Sequence, residues 1–323
     1  MELTKINAAI LSKFGQSGAA FSFALMEIAE SHPEVVVLSA DTSTPAGLDK
    51  FKKTYPDRFY NVGIAEQNLI GVAAGLASEG WLPIVQAQAC FISMRSFEQL
   101  RQYCGYMGYP LIIAGYAAGV ALEFMGNTHY AIEDMGLLRS IPGMTVLSPS
   151  DAGMAAKALK AAVEMRRPVY IRFTDKPGCP TVYASEFDYR IGKNIVLKEG
   201  NDVQILAIGS MVSRAKKAAE ALAAHGLSVG VADIHTLKPF DGSVISDSVR
   251  MVVTVEEHNI VNGLGAVVAE YLYQTDRRTP MVKIGIHDKF SEVGDYEYVL
   301  AQHGLNAEGI ADSILKELNK NQI

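Results

Sequence analysis

The stretch that decides the fold of this chain reads Phe59-Tyr60-Asn61-Val62-Gly63-Ile64-Ala65-Glu66-Gln67-Asn68. Its apolar start leads to a glycine and a carboxylate, and the small apolar residues 69–77 that follow predict a buried helix. Glu66 is the one acid between Asp57 and Glu79. Buried glutamates are rare unless they are paired or hydrogen-bonded. Glu66 therefore either stabilises the positive end of the helix dipole or is a functional carboxylate.

The composition of the 323-residue chain indicates a soluble protein of roughly two domains. Hydrophobic residues make up 49% of it, which is enough for sizeable cores and a large subunit interface. The net charge is −6 and the basic residues form no block, which argues against a nucleic-acid partner. The three cysteines lack CxxC spacing, and the longest apolar run, residues 111–122, is too short to span a membrane. We expect a cytoplasmic protein without a membrane partner.

Short apolar runs alternate with helical patterns, which predicts two α/β domains, the first with a mainly parallel sheet covered by helices. The first domain is predicted at residues 1–180. Its strands are expected at residues 35–39, 82–87, 111–115, 145–149 and 169–173. Residues 181–195 show no clear period and are expected to form a linker. A smaller α/β domain is predicted at residues 196–323.

Three predicted helices depend on pattern alone. Residues 4–34 and 91–106 carry apolar residues at steps of three and four, which is typical of long amphipathic helices. Residues 241–248 are expected to form a short helix in the second domain. His32-Pro33 is expected to stop the first of these helices.

Two candidate contact residues lie in polar loops. Asp41 follows the first predicted strand in a loop rich in serine and threonine, and ligands of open α/β sheets bind beyond the carboxyl ends of strands. Ordinary turn and capping chemistry explains this loop equally well. His129 ends the polar turn Gly126-Asn127-Thr128-His129 and is either a capping or a catalytic residue.

Phe91, Met94 and Phe97 recur at helical spacing. Such a stripe is typical of a core face, and it also suits an apolar pocket wall for an aromatic heterocycle. The run Glu256-Glu257-His258 after a predicted strand could be a metal or acid/base cluster, or a capping and interface cluster. No other spacing is typical of metal ligands, and no dinucleotide or Walker motif is present.

Residues 59–68 resemble the signature of the transketolase family, in which an aromatic run precedes Val-Gly-Ile-Ala-Glu-Gln. Residues 126–129, 138–144 and 148–151 are similar to further segments of that family, and residues 203–240 resemble the start of its C-terminal domain. The resemblance implies a thiamine pyrimidine-binding domain at 1–180 and a transketolase C-terminal domain at 196–323.

The resemblance also implies a separate partner. Full-length transketolases carry an N-terminal domain whose Gly-Asp-Gly motif binds Mg²⁺ and the diphosphate of thiamine diphosphate, and this sequence has no Gly-Asp-Gly. A diphosphate needs a metal or a backbone anion site. We therefore expect this chain to be the C-terminal subunit of a split transketolase that associates with itself and with an N-terminal subunit. The Mg²⁺ is expected to be held mainly by that N-terminal subunit. No metal ligand is assigned to this chain.

By resemblance, Glu66 is the residue that hydrogen-bonds the pyrimidine N1′ of thiamine diphosphate and so helps to form the reactive carbanion. Burial favours the protonated carboxyl, which suits donation to a ring nitrogen. Phe91, Met94 and Phe97 would surround the pyrimidine ring. Asp41, in the acidic loop after the first strand, is assigned to the cofactor-binding residues.

The resemblance assigns the donor substrate to two residues. His129 matches a histidine that contacts donor oxygen atoms, and Arg172 matches a phosphate-binding arginine, which could clamp a phosphate or sulfonate. Other family positions differ: Met125 stands nearest a donor-reading aspartate, and Tyr116 replaces a histidine. We expect two-carbon ketol transfer from an atypical, anionic ketose to an aldose. The β subunit of a 2-oxo acid decarboxylating enzyme or synthase, and a non-catalytic assembly partner, remain alternatives.

Overall fold

A computed structural model describes residues 2–174 and 177–321 of the chain. The predicted domains 1–180 and 196–323 also include Met1, the pair 175–176 and the pair 322–323, which lie outside the described residues. The described residues form two α/β domains, each built around one sheet, which confirms the predicted fold class. In that part of the chain, no helix is long and apolar enough to cross a bilayer.

Twelve strands build the two sheets within residues 2–174 and 177–321. In chain order they are β1 (Val35–Ser39), β2 (Phe59–Asn61), β3 (Leu82–Gln88), β4 (Ile112–Tyr116), β5 (Thr145–Leu147), β6 (Val169–Arg172), β7 (Ile195–Lys198), β8 (Val203–Ala207), β9 (Val229–Asp233), β10 (Thr236–Lys238), β11 (Met251–Asn259) and β12 (Met281–Ile286). The first sheet has seven strands in the order β10-β5-β6-β4-β3-β1-β2, and the second has five in the order β12-β11-β8-β9-β7.

Each of the two sheets is parallel except at one strand. In the first sheet β10 is antiparallel to β5, and in the second β7 is antiparallel to β9. The strand β10 comes from the second half of the chain, so it joins the two domains by extending the first sheet. Because β1, β2, β3 and β4 run in the same direction, the loops that follow them meet at one edge of that sheet.

Twelve α-helices cover the sheets among the described residues. They are α1 (Lys5–Ala19), α2 (Leu25–Ser31), α3 (Asp49–Thr54), α4 (Glu66–Ser78), α5 (Ala89–Met94), α6 (Phe97–Leu100), α7 (Asp134–Arg139), α8 (Ala152–Met165), α9 (Met211–Ala224), α10 (Leu264–Gln274), α11 (Tyr296–Gln302) and α12 (Ala307–Asn321). Three short 3₁₀ turns, at Pro56–Arg58, Glu123–Met125 and Gly242–Val244, and two π-helical turns, at Ala20–Ala24 and Arg101–Tyr106, complete the regular structure.

The strand β1, which lies between β3 and the edge strand β2, is buried along its whole length, because helices cover both faces of the first sheet. Val35 and Val37 pack with α2 and α8 on one face, and Val36 and Leu38 pack with α4 on the other. The α4 side of this core continues into the second domain through residues of β8, β9 and α10. The two domains therefore share one apolar core on the side where α4 lies.

Several predicted elements differ from the observed ones. The predicted helix at residues 4–34 is interrupted at Gly15, whose φ of 73° is not helical, and the predicted helix at 91–106 is divided between α5, α6 and a π-helical turn. Residues 241–248 form only the 3₁₀ turn Gly242–Val244. The strands β2, β7 and β10 were not predicted, because none of them is a fully buried run like β5 and β6.

Candidate functional site

Glu66 lies at the first position of α4, directly beyond the short strand β2. Its side chain is 4% exposed, and Arg95 Nη1 donates a hydrogen bond to its Oε2 at 2.7 Å. No other hydrogen bond to this carboxylate is present among residues 2–174 and 177–321. Glu66 is therefore a buried acid that has one partner and retains capacity to accept from another donor.

Arg95 links Glu66 to Phe91. The Cζ atom of Arg95 lies 4.3 Å from the centroid of the Phe91 ring, so the guanidinium covers one face of that ring. The Phe91 ring also makes a T-shaped contact with the ring of His129, with 5.3 Å between the ring centroids and 68° between the planes. Residues from α4, α5 and the loop after the Glu123–Met125 turn thus form one continuous cluster. Glu66, Phe91 and His129 were predicted as site residues, and Arg95 was not.

The break between α5 and α6 places Arg95 beside Glu66. Ser93 Oγ donates to the carbonyl of Ala89, and Ser96 Oγ donates to the carbonyl of Ile92, both at 2.6 Å. Serine hydroxyls that bond four residues back bend helices. Ser96 itself leaves the helical conformation, with φ −108° and ψ 20°. No break was predicted within residues 91–106, and the serines at positions 93 and 96 are the sequence signal that could have indicated this bend.

The bend also separates the three residues of the predicted pocket wall. Met94 ends α5 and is 44% exposed, whereas Phe97 begins α6 and packs against the core on the α4 side of the sheet. Phe91 is the member of the stripe that contacts the Glu66 cluster. The cofactor contacts of Met94 and Phe97 stay predictions.

Asp41 and Asn61 tie the loop after β1 to the loop after β2. Asn61 Nδ2 donates to Asp41 Oδ1 at 2.9 Å, and Asn61 Oδ1 accepts from the backbone nitrogens of Asp41 at 3.0 Å and Gly63 at 3.1 Å. Both Asp41 and Gly63 have positive φ, at 59° and 78°. The Asn61 side chain thereby sets the course of the backbone that leads into Glu66. Its position two residues before a glycine is typical of an Asx turn and could have indicated this role.

The Arg172 side chain is buried and contacts other groups of the protein. Its side chain is 1% exposed, and its Nε donates to Asp134 Oδ2 at 2.9 Å. Its Nη2 donates to the backbone carbonyls of Ala131 at 3.0 Å and Glu257 at 2.9 Å. A substrate anion could not reach this guanidinium without displacing Asp134. A substrate contact of Arg172 would thus require Asp134 to move, and it stays a prediction. In the described residues, Arg172 joins β6 and the loop before α7 to the second domain.

The run 256–258 has capping and interface contacts. Glu256 accepts from the backbone nitrogens of Leu264 at 2.6 Å and Gly265 at 2.8 Å, so it caps α10. Burial raises the pKa of Glu256 to about 7, and the two backbone donors oppose that shift. His258 Nε2 accepts from Gly136 N at 3.2 Å. No group of three or more His, Cys, Asp and Glu side chains that could hold a metal is present in the described ranges.

The Glu66 cluster suits a planar nitrogen heterocycle. A carboxylate acceptor and an aromatic face are close enough for one planar group with N–H donors, the guanidinium of Arg95, to contact both. The aminopyrimidine ring of thiamine diphosphate is planar and carries nitrogen atoms that pair with a carboxyl. The residues present therefore fit the pyrimidine end of that cofactor.

Comparisons with known proteins agree with this arrangement. Residues 16–177 match the family model of the transketolase pyrimidine-binding domain, and residues 192–310 match that of the transketolase C-terminal domain. The chain is 35% identical over 298 residues to a putative transketolase C-terminal section of Methanocaldococcus jannaschii, covering 92% of this chain and 94% of that protein. It is 36% identical over 289 residues to the 6-deoxy-6-sulfo-D-fructose transketolase subunit SqwH of Clostridium sp. (strain MSTE9), covering 88% and 89%.

A solved structure is also similar over most of the chain. A split-gene transketolase, described as an inactive β4 tetramer, superposes with a TM-score of 0.84 at 39% identity and covers 94% of this chain and 98% of that one. The family models together span both sheets, from the residues before β1 to α12. The chain therefore belongs to the transketolase family and corresponds to its pyrimidine-binding and C-terminal domains.

Proposed function

We propose that this chain is the C-terminal subunit of a split transketolase, which moves a two-carbon ketol unit from a ketose to an aldose. The observation that carries the proposal is the buried carboxylate of Glu66 beside the face of Phe91. The names of the similar proteins support it, since they describe a transketolase C-terminal section and a sugar transketolase subunit. Thiamine diphosphate, when bound, supplies a nucleophilic carbon for cleavage and formation of carbon–carbon bonds next to a carbonyl.

In this proposal, Glu66 is the residue that shares a proton with the cofactor. Its carboxyl would share a proton with the pyrimidine N1′, and its burial at the start of α4 keeps that proton away from water. The Asn61 side chain would position Glu66 indirectly, because it holds the backbone at Gly63. Phe91 would orient the pyrimidine ring by stacking, since aromatic faces favour flat partners.

In this proposal, His129 contacts the donor substrate. Its ring lies against Phe91, and its Nδ1 is 2.9 Å from Thr128 Oγ1, which leaves Nε2 for a hydroxyl or carbonyl oxygen of the donor. A histidine there would bind and orient the donor and move protons during bond cleavage.

We further propose an N-terminal partner subunit that holds Mg²⁺ and the diphosphate, together with self-association of this chain. The sequence lacks the Gly-Asp-Gly motif that carries this task in full-length members. The solved relative described as an inactive β4 tetramer supports both parts, since its β chains associate with one another and are inactive in that state. The donor is proposed to be an anionic ketose, which the name of the sulfofructose relative supports.

A reconstitution experiment tests the proposal. The chain is mixed with an N-terminal transketolase subunit, thiamine diphosphate and Mg²⁺, and ketose donors are assayed against aldose acceptors. We expect ketol transfer that Glu66→Gln reduces by at least about a hundredfold, because the carboxyl acts in proton sharing. Glu79→Gln changes an exposed glutamate directly after the same helix and is the matched control.

Three outcomes contradict the proposal. Acetyl or acetoin products from pyruvate, without ketol transfer from any donor, would indicate a 2-oxo acid decarboxylating enzyme or synthase. Assembly with the N-terminal subunit but no thiamine-dependent chemistry would indicate a non-catalytic partner. Thiamine diphosphate that binds tightly to this chain alone in the presence of Mg²⁺ would refute the division of the site between two subunits.

A further inference from the structure

We propose that Arg95 is a stand-in for the cofactor's aminopyrimidine: it occupies Glu66 and the face of Phe91 in the cofactor-free protein and must leave both for the cofactor to bind. This inference rests on the proposed function. It concerns a residue that the sequence analysis did not single out.

The first observation is the hydrogen bond to Glu66. Arg95 Nη1 donates to Glu66 Oε2 at 2.7 Å, and no other hydrogen bond to this carboxylate is present in the described residues. An N–H donor from a flat, delocalised group is the same kind of partner that an aminopyrimidine would offer. A carboxylate buried without a partner is unfavourable, so Arg95 stabilises Glu66 while no ligand is present.

The second observation is the stacking on Phe91. The guanidinium carbon lies 4.3 Å from the ring centroid, a distance at which the planar cation covers the ring. Phe91 meets His129 as well. A heterocycle that stacked on Phe91 from the side of Glu66 would need the volume that the guanidinium occupies.

The third observation concerns the exposure of the two partners. The Arg95 side chain is 47% exposed, whereas that of Glu66 is 4% exposed. Arg95 can therefore swing into solvent when the cofactor takes its place beside Glu66, while Glu66 remains in place on α4. Arg95 directly follows the last residue of α5, at the bend before Ser96. The pair thus has one fixed member and one movable member.

These contacts give opposite effects on stability and on cofactor binding. Removal of Arg95 leaves Glu66 buried and unpaired, which destabilises the cofactor-free protein. The same removal frees the carboxylate and the ring face, so the cofactor no longer displaces an existing partner. A residue that held Glu66 or the cofactor in the assembled site would instead lower both stability and affinity when it is removed.

The test compares Arg95→Ala with the wild-type chain, each assembled with the N-terminal subunit. The dissociation constant of thiamine diphosphate is measured by calorimetric titration at fixed Mg²⁺ without any donor, and the melting temperature is measured without cofactor. We expect Arg95→Ala to bind thiamine diphosphate about fivefold more tightly, which corresponds to roughly 1 kcal/mol, and to melt at a lower temperature. Arg101→Ala, which removes an exposed arginine six residues along, is the control for general loss of positive charge.

Each outcome either supports or overturns the stand-in role of Arg95. Tighter binding by Arg95→Ala but not by Arg101→Ala supports the stand-in, including the case in which only the variant binds measurably. Equal or weaker binding by Arg95→Ala, with a wild-type protein that binds, overturns the stand-in and leaves the proposed function intact. No binding by any of the three proteins overturns both the stand-in and the proposed function.

Discussion

Asn127 and Ser291 join the two domains through a reciprocal pair of hydrogen bonds. Asn127 Nδ2 donates to the carbonyl of Ser291 at 2.8 Å, and the backbone nitrogen of Ser291 donates to Asn127 Oδ1 at 3.0 Å. Ser291 Oγ in turn lies 2.7 Å from His303 Nε2. Asn127 stands two residues before His129, so the second domain holds the loop that carries the proposed substrate histidine.

Asn127→Ala is expected to weaken donor binding more than it weakens catalysis. The change removes two hydrogen bonds and lowers the free energy of unfolding by about 1 to 2 kcal/mol. Because His129 then has a less defined position, we expect the KM for the donor to rise about fivefold, with a smaller change in kcat. Steady-state kinetics of the assembled enzyme at several donor concentrations measure both.

Asn201→Ala is the matched control for Asn127→Ala. Asn201 is exposed, and its side chain makes no hydrogen bond within the described ranges. An equal change in KM and kcat for Asn127→Ala, or a normal KM together with lowered stability, would show that the interdomain pair does not position His129.

The parts of the fold that could be predicted from the sequence are those formed by continuous apolar runs. Residues 35–39 form an almost uninterrupted apolar run, and they form the buried strand β1, which helices cover on both sides. The strand β10 could not be predicted in this way, because it forms by pairing with β5, which lies almost a hundred residues earlier. The bend between α5 and α6 depends on serine hydroxyls that bond back to the chain, which an apolar period does not show.

The candidate site was predicted in part for a similar reason. Glu66 was identifiable because a lone acid in an apolar stretch needs a partner, but its partner Arg95 comes from a different element. The burial of Arg172 could not be predicted, because its place at the end of a strand gives no information on burial. The buried carboxylate of Asp134, to which it binds, lies 38 positions earlier in the chain. Pairings between distant segments decide which charged residues face the site.

Arg172→Met is expected to destabilise the protein strongly. Asp134 is fully buried, and the change leaves its carboxylate without the guanidinium that it faces at 2.9 Å. Breaking a buried pair by removal of one partner lowers the free energy of unfolding by about 3 to 5 kcal/mol. Urea unfolding of the purified chain measures the loss.

The double variant Arg172→Met with Asp134→Asn is the control for that loss. It removes the uncompensated charge, so we expect it to recover at least about half of the lost free energy. Normal stability of Arg172→Met together with a raised KM for an anionic donor would instead support the predicted contact of Arg172 with the substrate.

Asp233 is expected to make the stability of the protein depend on pH. The residue is fully buried, its Oδ2 accepts from Tyr183 Oη at 3.0 Å, and burial raises its pKa to about 7. The folded protein therefore retains a proton that the unfolded chain releases near the ordinary aspartate pKa of 3.8. The contribution of Asp233 to the free energy of unfolding is thus present at low pH and is lost as the pH rises from about 4 to about 7.

Asp233→Asn tests this dependence, because the amide oxygen can still accept from Tyr183 while the titration is removed. We expect the variant to match the wild type near pH 4 and to be more stable at pH 8, by up to about 4 kcal/mol. Urea unfolding at pH 4.5, 6 and 8 provides the comparison, with the exposed Asp312→Asn as the control. A difference between variant and wild type that does not change with pH would argue against the shift.

Gly119→Ala is expected to disturb the contact between the two domains. Gly119 has a φ of 66°, and a methyl group there would lie 2.1 Å from Glu257 Oε1, the atom that accepts from the backbone nitrogen of Val120 at 2.7 Å. The variant therefore combines an unfavourable backbone conformation with displacement of a buried carboxylate, and we expect a loss of about 3 kcal/mol in the free energy of unfolding. Gly143→Ala separates the two terms, because Gly143 has a φ of 73° and its added methyl group meets no atom within 4 Å. Equal losses in the two variants would mean that Glu257 moves aside without cost, whereas a loss about 2 kcal/mol larger for Gly119→Ala would measure the contact with Glu257.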